Sequence, residues 1–222
     1  MTLLLPVKHH KQKFNWDCGI TCLRMLIDYY QDDSTTFEQL LKSYQCNQST
    51  WTIDLLYLLH QSNIRAILHT ITIGCSTTYK HVPYYENFID KDRERVERLF
   101  QSEMSNIKIG SIEWNEIKKH LIEHRTPCLV LIDASKLNCR TCSKTIFNRL
   151  LDKLLPTTSL SYQGHYIIVI GFTMNENTEL IQYVDPGRDD ECCMTTIENF
   201  NQARTAFGTD EDIIFCYEKE KL

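Results

Sequence analysis

Glycine and proline are scarce in this chain, seven and five among 222 residues. The glycines never fall into a GxGxxG or GxxxxGK(S/T) spacing, so no glycine-rich loop is present to cradle a di- or triphosphate. No apolar run is long enough to span a bilayer; the longest, such as residues 166–172, are strand-length. The short apolar run at residues 1–7 has no basic stretch before it. His9, His10 and Lys11 follow where a small-residue cleavage site would stand, so no signal peptide is read. An excess of positive charge is also missing. The formal charge is -5 and the basic residues are scattered, which argues against nucleic acid and against a membrane as partner. There is no internal repeat, linker or low-complexity segment.

Cysteine, by contrast, is abundant, with ten residues. Without a secretion signal, and in a chain long enough to bury a core unaided, these read as reduced thiols in a cytoplasmic protein rather than a disulfide framework. Cys46, Cys75, Cys128 and Cys216 lie in or beside apolar or strand-like sequence and read as small core residues.

Residues 18–30 carry Leu23, Leu26, Ile27 and Tyr30 at helical spacing, and residues 36–44 and 52–61 also read as helices. Residues 65–73 alternate as a strand, 89–105 form a charged amphipathic helix, and 111–124 form another helix before a strand at 128–133. Strands are expected at 165–173 and 179–185, a short helix at 197–204 and a last strand at 213–217. Residues 136–162 fit no regular pattern and read as a surface insertion, with a helix at 147–154. Helices dominate the first half and antiparallel strands the second, so the expected class is α+β in a single domain, 1–222.

Chemistry concentrates at residues 12–22. Gln12 stands six residues before Cys18, Asn15 and Asp17 lead into it, and Gly19 follows. Taken alone, Cys18 is simply a buried cysteine in an apolar helix. At the first turn, however, the free backbone N–H groups favour the thiolate, which is the nucleophile. Gly19 would let a substrate carbonyl approach the backbone. A base is needed, and His165 heads the apolar strand after Gly164. If the two strands at 165–185 form one hairpin centred near Asn175, positions pair when their numbers sum to about 350, and His165 faces Asp185. A carboxylate there would orient the imidazole; otherwise Asp185 only starts a turn before Pro186 and Gly187. Gln12 could donate to an oxyanion beside the Cys18 N–H. Cys22 reads as core.

With Gln12, Trp16-Asp17-Cys18-Gly19, Gly164-His165-Tyr166 and Val184-Asp185-Pro186 in hand, the chain resembles the papain-like bacteriocin-processing cysteine peptidases. More closely, through these stretches, 49–60 and 199–215, it resembles the guanylyl cyclase domain-containing protein 1 family. The resemblance implies a papain-like fold, the N-terminal helices with the nucleophile packing on a C-terminal antiparallel sheet, and roles for Cys18, His165, Asp185 and Gln12. The family's name implies a guanylyl cyclase instead.

Three functions are therefore carried forward. The first is a cysteine hydrolase of peptide, isopeptide or related acyl bonds, acting on a protein or peptide substrate with no cofactor or metal. The second is a guanylyl cyclase, and the third a non-catalytic protein-binding module. The acidic runs Asp189-Asp190-Glu191 and Asp210-Glu211-Asp212 read as solvated faces. Cys139-x-x-Cys142 has metal-ligand spacing, but the adjacent pair Cys192-Cys193 makes a poor second half. Asp54 reads as a first-turn carboxylate of its helix.

Overall fold

The computed structural model describes residues 2–30, 34–44, 49–75, 89–141 and 162–218. Among these, helix α1 (Cys18–Tyr30) has Ile20, Cys22, Leu23, Met25, Leu26 and Ile27 buried. A helix apolar nearly all round belongs inside a core. It packs against α2 (Ser34–Tyr44), α3 (Thr52–Gln61) and the sheet. Helix α3 contributes Ile53, Leu55, Leu56, Leu58 and Leu59 to the same core. Helix α4 (Ile89–Ser102) is amphipathic, burying Val96 and Phe100, and a 3₁₀ turn, Met104–Asn106, follows it. Helices α5 (Trp114–His124) and α6 (Ile197–Arg204) complete the set.

The strands are β1 (Leu3–Leu4), β2 (Ala66–Thr70), β3 (Ile107–Ile109), β4 (Cys128–Asp133), β5 (Gly164–Asn175), β6 (Thr178–Val184), β7 (Cys193–Thr196) and β8 (Ile213–Cys216). They form one sheet in the order β3-β2-β8-β4-β5-β6-β7, with β1 pairing β5 beyond the start of β4. Only β2–β3 is parallel. The molecule is thus α+β with a mostly antiparallel sheet, as the sequence suggests. Gly171 is required where β1 crosses: a Cβ there would fall 2.0 Å from the Leu3 carbonyl oxygen.

Several expectations shift. Helix α5 opens at Trp114, not Ser111, because Glu113 and Glu116 form a capping box there. Strands β3 and β7 are too short to be read from pattern. Of the expected insertion, residues 136–141 and 162 are described, and Leu137 and Cys139 among them are buried in the core. The helix expected at 147–154 lies outside the described residues.

The expected hairpin register is also corrected. The turn is Glu176-Asn177, with Glu176 at φ 53, and Asn175 pairs Thr178. An irregularity between Val169 and Gly171 then moves the register, so that Ile168 pairs Val184. His165 therefore does not lie directly opposite Asp185.

One consequence of the topology positions the site. His69 pairs Ile213, Val130 pairs Ile213, and Ile132 pairs His165. The end of β2, the start of β8, the end of β4, the start of β5 and the end of β6 therefore all open on one edge of the sheet.

Candidate active site

Cys18 is the first residue of α1, and Asp17 builds the approach to it. The Asp17 carbonyl accepts from Thr21 N (2.8 Å), the first helical bond. Its carboxylate turns back to accept from Lys13 N (3.1 Å) and Phe14 N (3.0 Å), fixing the loop that leads into the helix. Gln12 is tied into the same loop: its side-chain Nε2 donates to the Phe14 carbonyl (2.6 Å), and its backbone N–H donates to the Pro186 carbonyl (2.9 Å). The structure thus brings Gln12 to the site, with its amide engaged on its own loop and its Oε1 buried without a partner. Further contacts join this segment to the turn after β6: His9 Nε2 lies 3.3 Å from the Asp185 carbonyl, and Lys11 pairs with Asp189.

His165, the second residue of β5, places Nε2 2.7 Å from Asp185 Oδ1. The bond is made without direct pairing. Asp185 lies just past the end of β6 and reaches His165 along the diagonal, a span long side chains can cover. The carboxylate also accepts from Gly187 N (2.8 Å), and Arg188 Nε lies 3.5 Å from its Oδ2. With Nε2 occupied, Nδ1 is the nitrogen left for Cys18, whose thiol hydrogen-bonds the His165 ring.

The electrostatics follow from this chain of contacts. Burial opposes a charge on Cys18, but the hydrogen bond and charge of His165, with backbone bonds at Tyr166 and Gly19, hold the thiol below its ordinary range. Burial likewise opposes the imidazolium, yet Asp185 and Cys18 raise His165 to about 10. Burial would raise Asp185 too, but His165, Gly187 N and Arg188 draw it down. A thiol held below its ordinary range beside an imidazole raised above its own shifts the balance toward the thiolate–imidazolium pair.

Cys22 is fully buried, with its Sγ donating to the Tyr166 carbonyl (3.4 Å), and burial pushes its thiol well up. It is core, as expected. The structure corrects the role of Gly19. A Cβ there would meet the Tyr166 ring at 2.9 Å and Leu55 at 3.2 Å, so the glycine lets α1 seat against Tyr166 and does not face a substrate. Asp17, His9 and Arg188 were missed as site residues. An Asp immediately before a helix is the only local signal for the first, and the other two depend on the chain crossing at Asp185–Asp189.

The remaining candidates resolve structurally. Asp54 caps Trp51 N (2.8 Å) and is buried against Arg95 and Tyr44. Asp189 pairs with Lys11, and Glu211 is held by Ser111 and by Arg204 at 3.6 Å. Asp212 is buried and pushed up to about 8, chiefly by that burial and then by neighbouring Asp210. Cys139 is buried with its Sγ 3.2 Å from Thr141 Oγ1, and Cys142 lies outside the described residues. Among the described residues no three His, Cys, Asp or Glu side chains gather as a metal site, and no helix is long and apolar enough to cross a membrane.

Two comparisons bear on this site. A family described as guanylylate cyclase matches residues 7–216. A relative in Arabidopsis thaliana, "Guanylyl cyclase 1", is 29% identical over 214 residues, which cover 95% of this chain and 75% of the relative.

Proposed function

The chain belongs to the guanylylate cyclase family, and we propose that it is a papain-like cysteine hydrolase acting on a peptide, isopeptide or related acyl bond of a protein or peptide substrate. The observation that carries this is the connected chain Cys18–His165–Asp185, with the thiol at a helix N-terminus and the imidazole held at 2.7 Å by a buried carboxylate. The papain-like reading is supported by a nucleophile helix packed on an antiparallel sheet that carries the base, and by Gln12 six residues upstream.

In this mechanism the Cys18 thiolate attacks the substrate carbonyl. The oxyanion is received by the Cys18 backbone N–H and by the Gln12 amide, which turns from Phe14. The His165 imidazolium gives its proton to the leaving amine, breaking the C–N bond and leaving a thioester. Imidazole then takes a proton from water, which attacks the thioester, and the proton returns to the departing sulfur. Asp185 fixes the tautomer and stabilises the imidazolium throughout. No step calls for a cofactor.

Guanylyl cyclase activity is the second reading, favoured by the description of the family and the name of the Arabidopsis relative. It assigns no task to the thiolate pair.

The test is alkylation by a small iodoacetamide probe at pH 7, read by peptide mass spectrometry. Cys18 should be labelled ahead of the other thiols, with labelling absent in Cys18→Ser and slowed about tenfold or more in His165→Ala. A Cys18 no faster than the other cysteines would leave a binding module instead. Conversion of GTP to cyclic GMP that survives Cys18→Ser would establish the second reading.

A further inference from the structure

Asp212, just before β8, is a buried acid that the hydrolase mechanism does not use. Its Oδ1 is buried without a hydrogen-bond partner, and the hydroxyls of Thr52 and Thr70 bond the carboxyl. Its ionisable neighbour, Asp210, has the same sign of charge. The other charged groups on the surrounding elements are engaged elsewhere. Asp54 on α3 is turned to Arg95, and Asp133 on β4 accepts from Ser135 N and Gln163 N. His69 pairs Ile213, so it lies on the opposite face of the sheet from Asp212.

From Asp212 a line of contacts runs to the nucleophile. Leu131 N donates to the Asp212 carbonyl (3.1 Å), and Leu131 pairs Tyr166. Asp212, Leu131 and Tyr166 therefore form one row across β8, β4 and β5, with side chains on the same face. Thr52, the first residue of α3, bridges the ends of that row: it bonds the Asp212 carboxyl, and its Oγ1 lies 3.0 Å from Tyr166 Oη. Tyr166 in turn is the wall behind Cys18. Its backbone bonds the Cys18 thiol, its carbonyl accepts from Cys22 Sγ (3.4 Å), and its ring lies where a Cβ on Gly19 would meet it at 2.9 Å.

Resting on the hydrolase reading, we propose that Asp212 is a positioning residue for Cys18: through Thr52 it holds the Tyr166 ring behind the first turn of α1.

The protonation state of Asp212 sets the direction of these bonds. A buried carboxylate with an unpaired oxygen is costly, and burial, then Asp210, push its ionisation up to about 8. At pH 7 the neutral acid has a hydrogen to give to Thr52, which gives its own to Tyr166. Once Asp212 ionises, Thr52 must donate back to the carboxylate. The bond to Tyr166 reverses while Asp210 repels the new charge, and the seat of Tyr166 loosens.

The test is the rate of Cys18 alkylation by iodoacetamide from pH 6 to pH 9, read by peptide mass spectrometry. Each rate is taken relative to Asp212→Asn, whose amide donates to Thr52 at every pH, so the shared titration of Cys18 and His165 cancels. The native rate relative to Asp212→Asn should fall about threefold or more between pH 7 and pH 9. In a Thr52→Val background, which cuts the line at its middle, the same comparison should stay level. Asp212→Leu should label more slowly than native at pH 7, with Asp212→Asn restoring the rate. Urea unfolding at pH 7 confirms that each variant is folded, and Tyr166→Phe replaces Asp212→Asn as the reference if the latter is not. A purely structural Asp212 would alter stability but leave the relative rate level with pH. A level ratio in the native background, or a fall that persists with Thr52→Val, overturns the proposal and leaves the hydrolase reading standing. A Cys18 labelled no faster than the other thiols overturns both.

Discussion

His165 Nε2 and Asp185 Oδ1 stand 2.7 Å apart although the ladder between their strands ends at Ile168–Val184. The bond is a diagonal reach from a residue just past the strand, braced by Gly187 N and Arg188. Asp185→Asn keeps an acceptor and removes the charge; Asp185→Ala removes both. Alkylation of Cys18 at pH 7 should therefore fall in the order native, Asn, Ala, with the last about tenfold or more below native.

The same bond has a signature in stability against pH. His165 is raised to about 10, so its stabilisation is full below the ordinary imidazole value and is lost as pH rises through about 10. Asp185 is lowered, so its stabilisation is present above the ordinary carboxylate value and is lost as pH falls. Urea midpoints of native protein and Asp185→Ala should differ most between the ordinary carboxylate and imidazole values, about pH 4 to 6.5, and converge above about pH 10, where the imidazole is neutral in both.

Much of this site is legible in the sequence, because helical spacing after Cys18 and an apolar strand after His165 are local patterns. Helices α1 and α3 begin and end where the apolar period does. What escapes local pattern is set by contacts between distant segments. The irregularity between Val169 and Gly171 arises where β1 crosses β5, and it shifts the register that simple hairpin counting assumes. Strand β7, four residues beside β6, has no periodicity of its own. Gly19 looks like a substrate-facing glycine until Tyr166 is seen against it.

Gly19→Ala makes that last point measurable. The added methyl meets the Tyr166 ring at 2.9 Å and must displace it or α1. Overpacking of this kind costs about 1–3 kcal/mol. Because Tyr166 adjoins His165 on β5, Cys18 alkylation at pH 7 should drop together with the unfolding free energy. A stable Gly19→Ala protein with undiminished Cys18 reactivity would show that the packing does not position the thiol.

On the acid side, His120 should control stability. Its ring stacks on Phe215 with centroids 4.5 Å apart. Its Nε2 donates to Thr126 Oγ1 (2.9 Å), which donates to the Cys216 carbonyl (2.6 Å). Burial, with His124 nearby, pushes it down to about 4, so the fold holds the neutral ring. Its contribution is full above the ordinary imidazole value and is lost as pH falls toward about 4. By pH 5 the loss should be on the order of 2 kcal/mol. His120→Phe keeps the stack and cannot titrate, so the fall in unfolding free energy between pH 7 and pH 5 should shrink by about that amount.

Helices α3 and α4 are joined by a buried charge network whose worth lies in its completeness. Asp54 is fully buried, pairs with Arg95 and Tyr44, and caps Trp51 N, while Arg95 also lies 3.1 Å from Asp92. Burial raises Asp54 even with Arg95 beside it, which shows how much of the attraction desolvation consumes. Arg95→Met would leave that carboxylate without its cation and should cost about 3–5 kcal/mol in urea unfolding. Adding Asp54→Asn removes the orphaned charge while retaining an acceptor for Trp51 N. The double variant should therefore be more stable than Arg95→Met alone. If it is no more stable, the orphaned carboxylate is not what Arg95→Met costs; a double variant less stable than native protein shows that the pair contributes net stability.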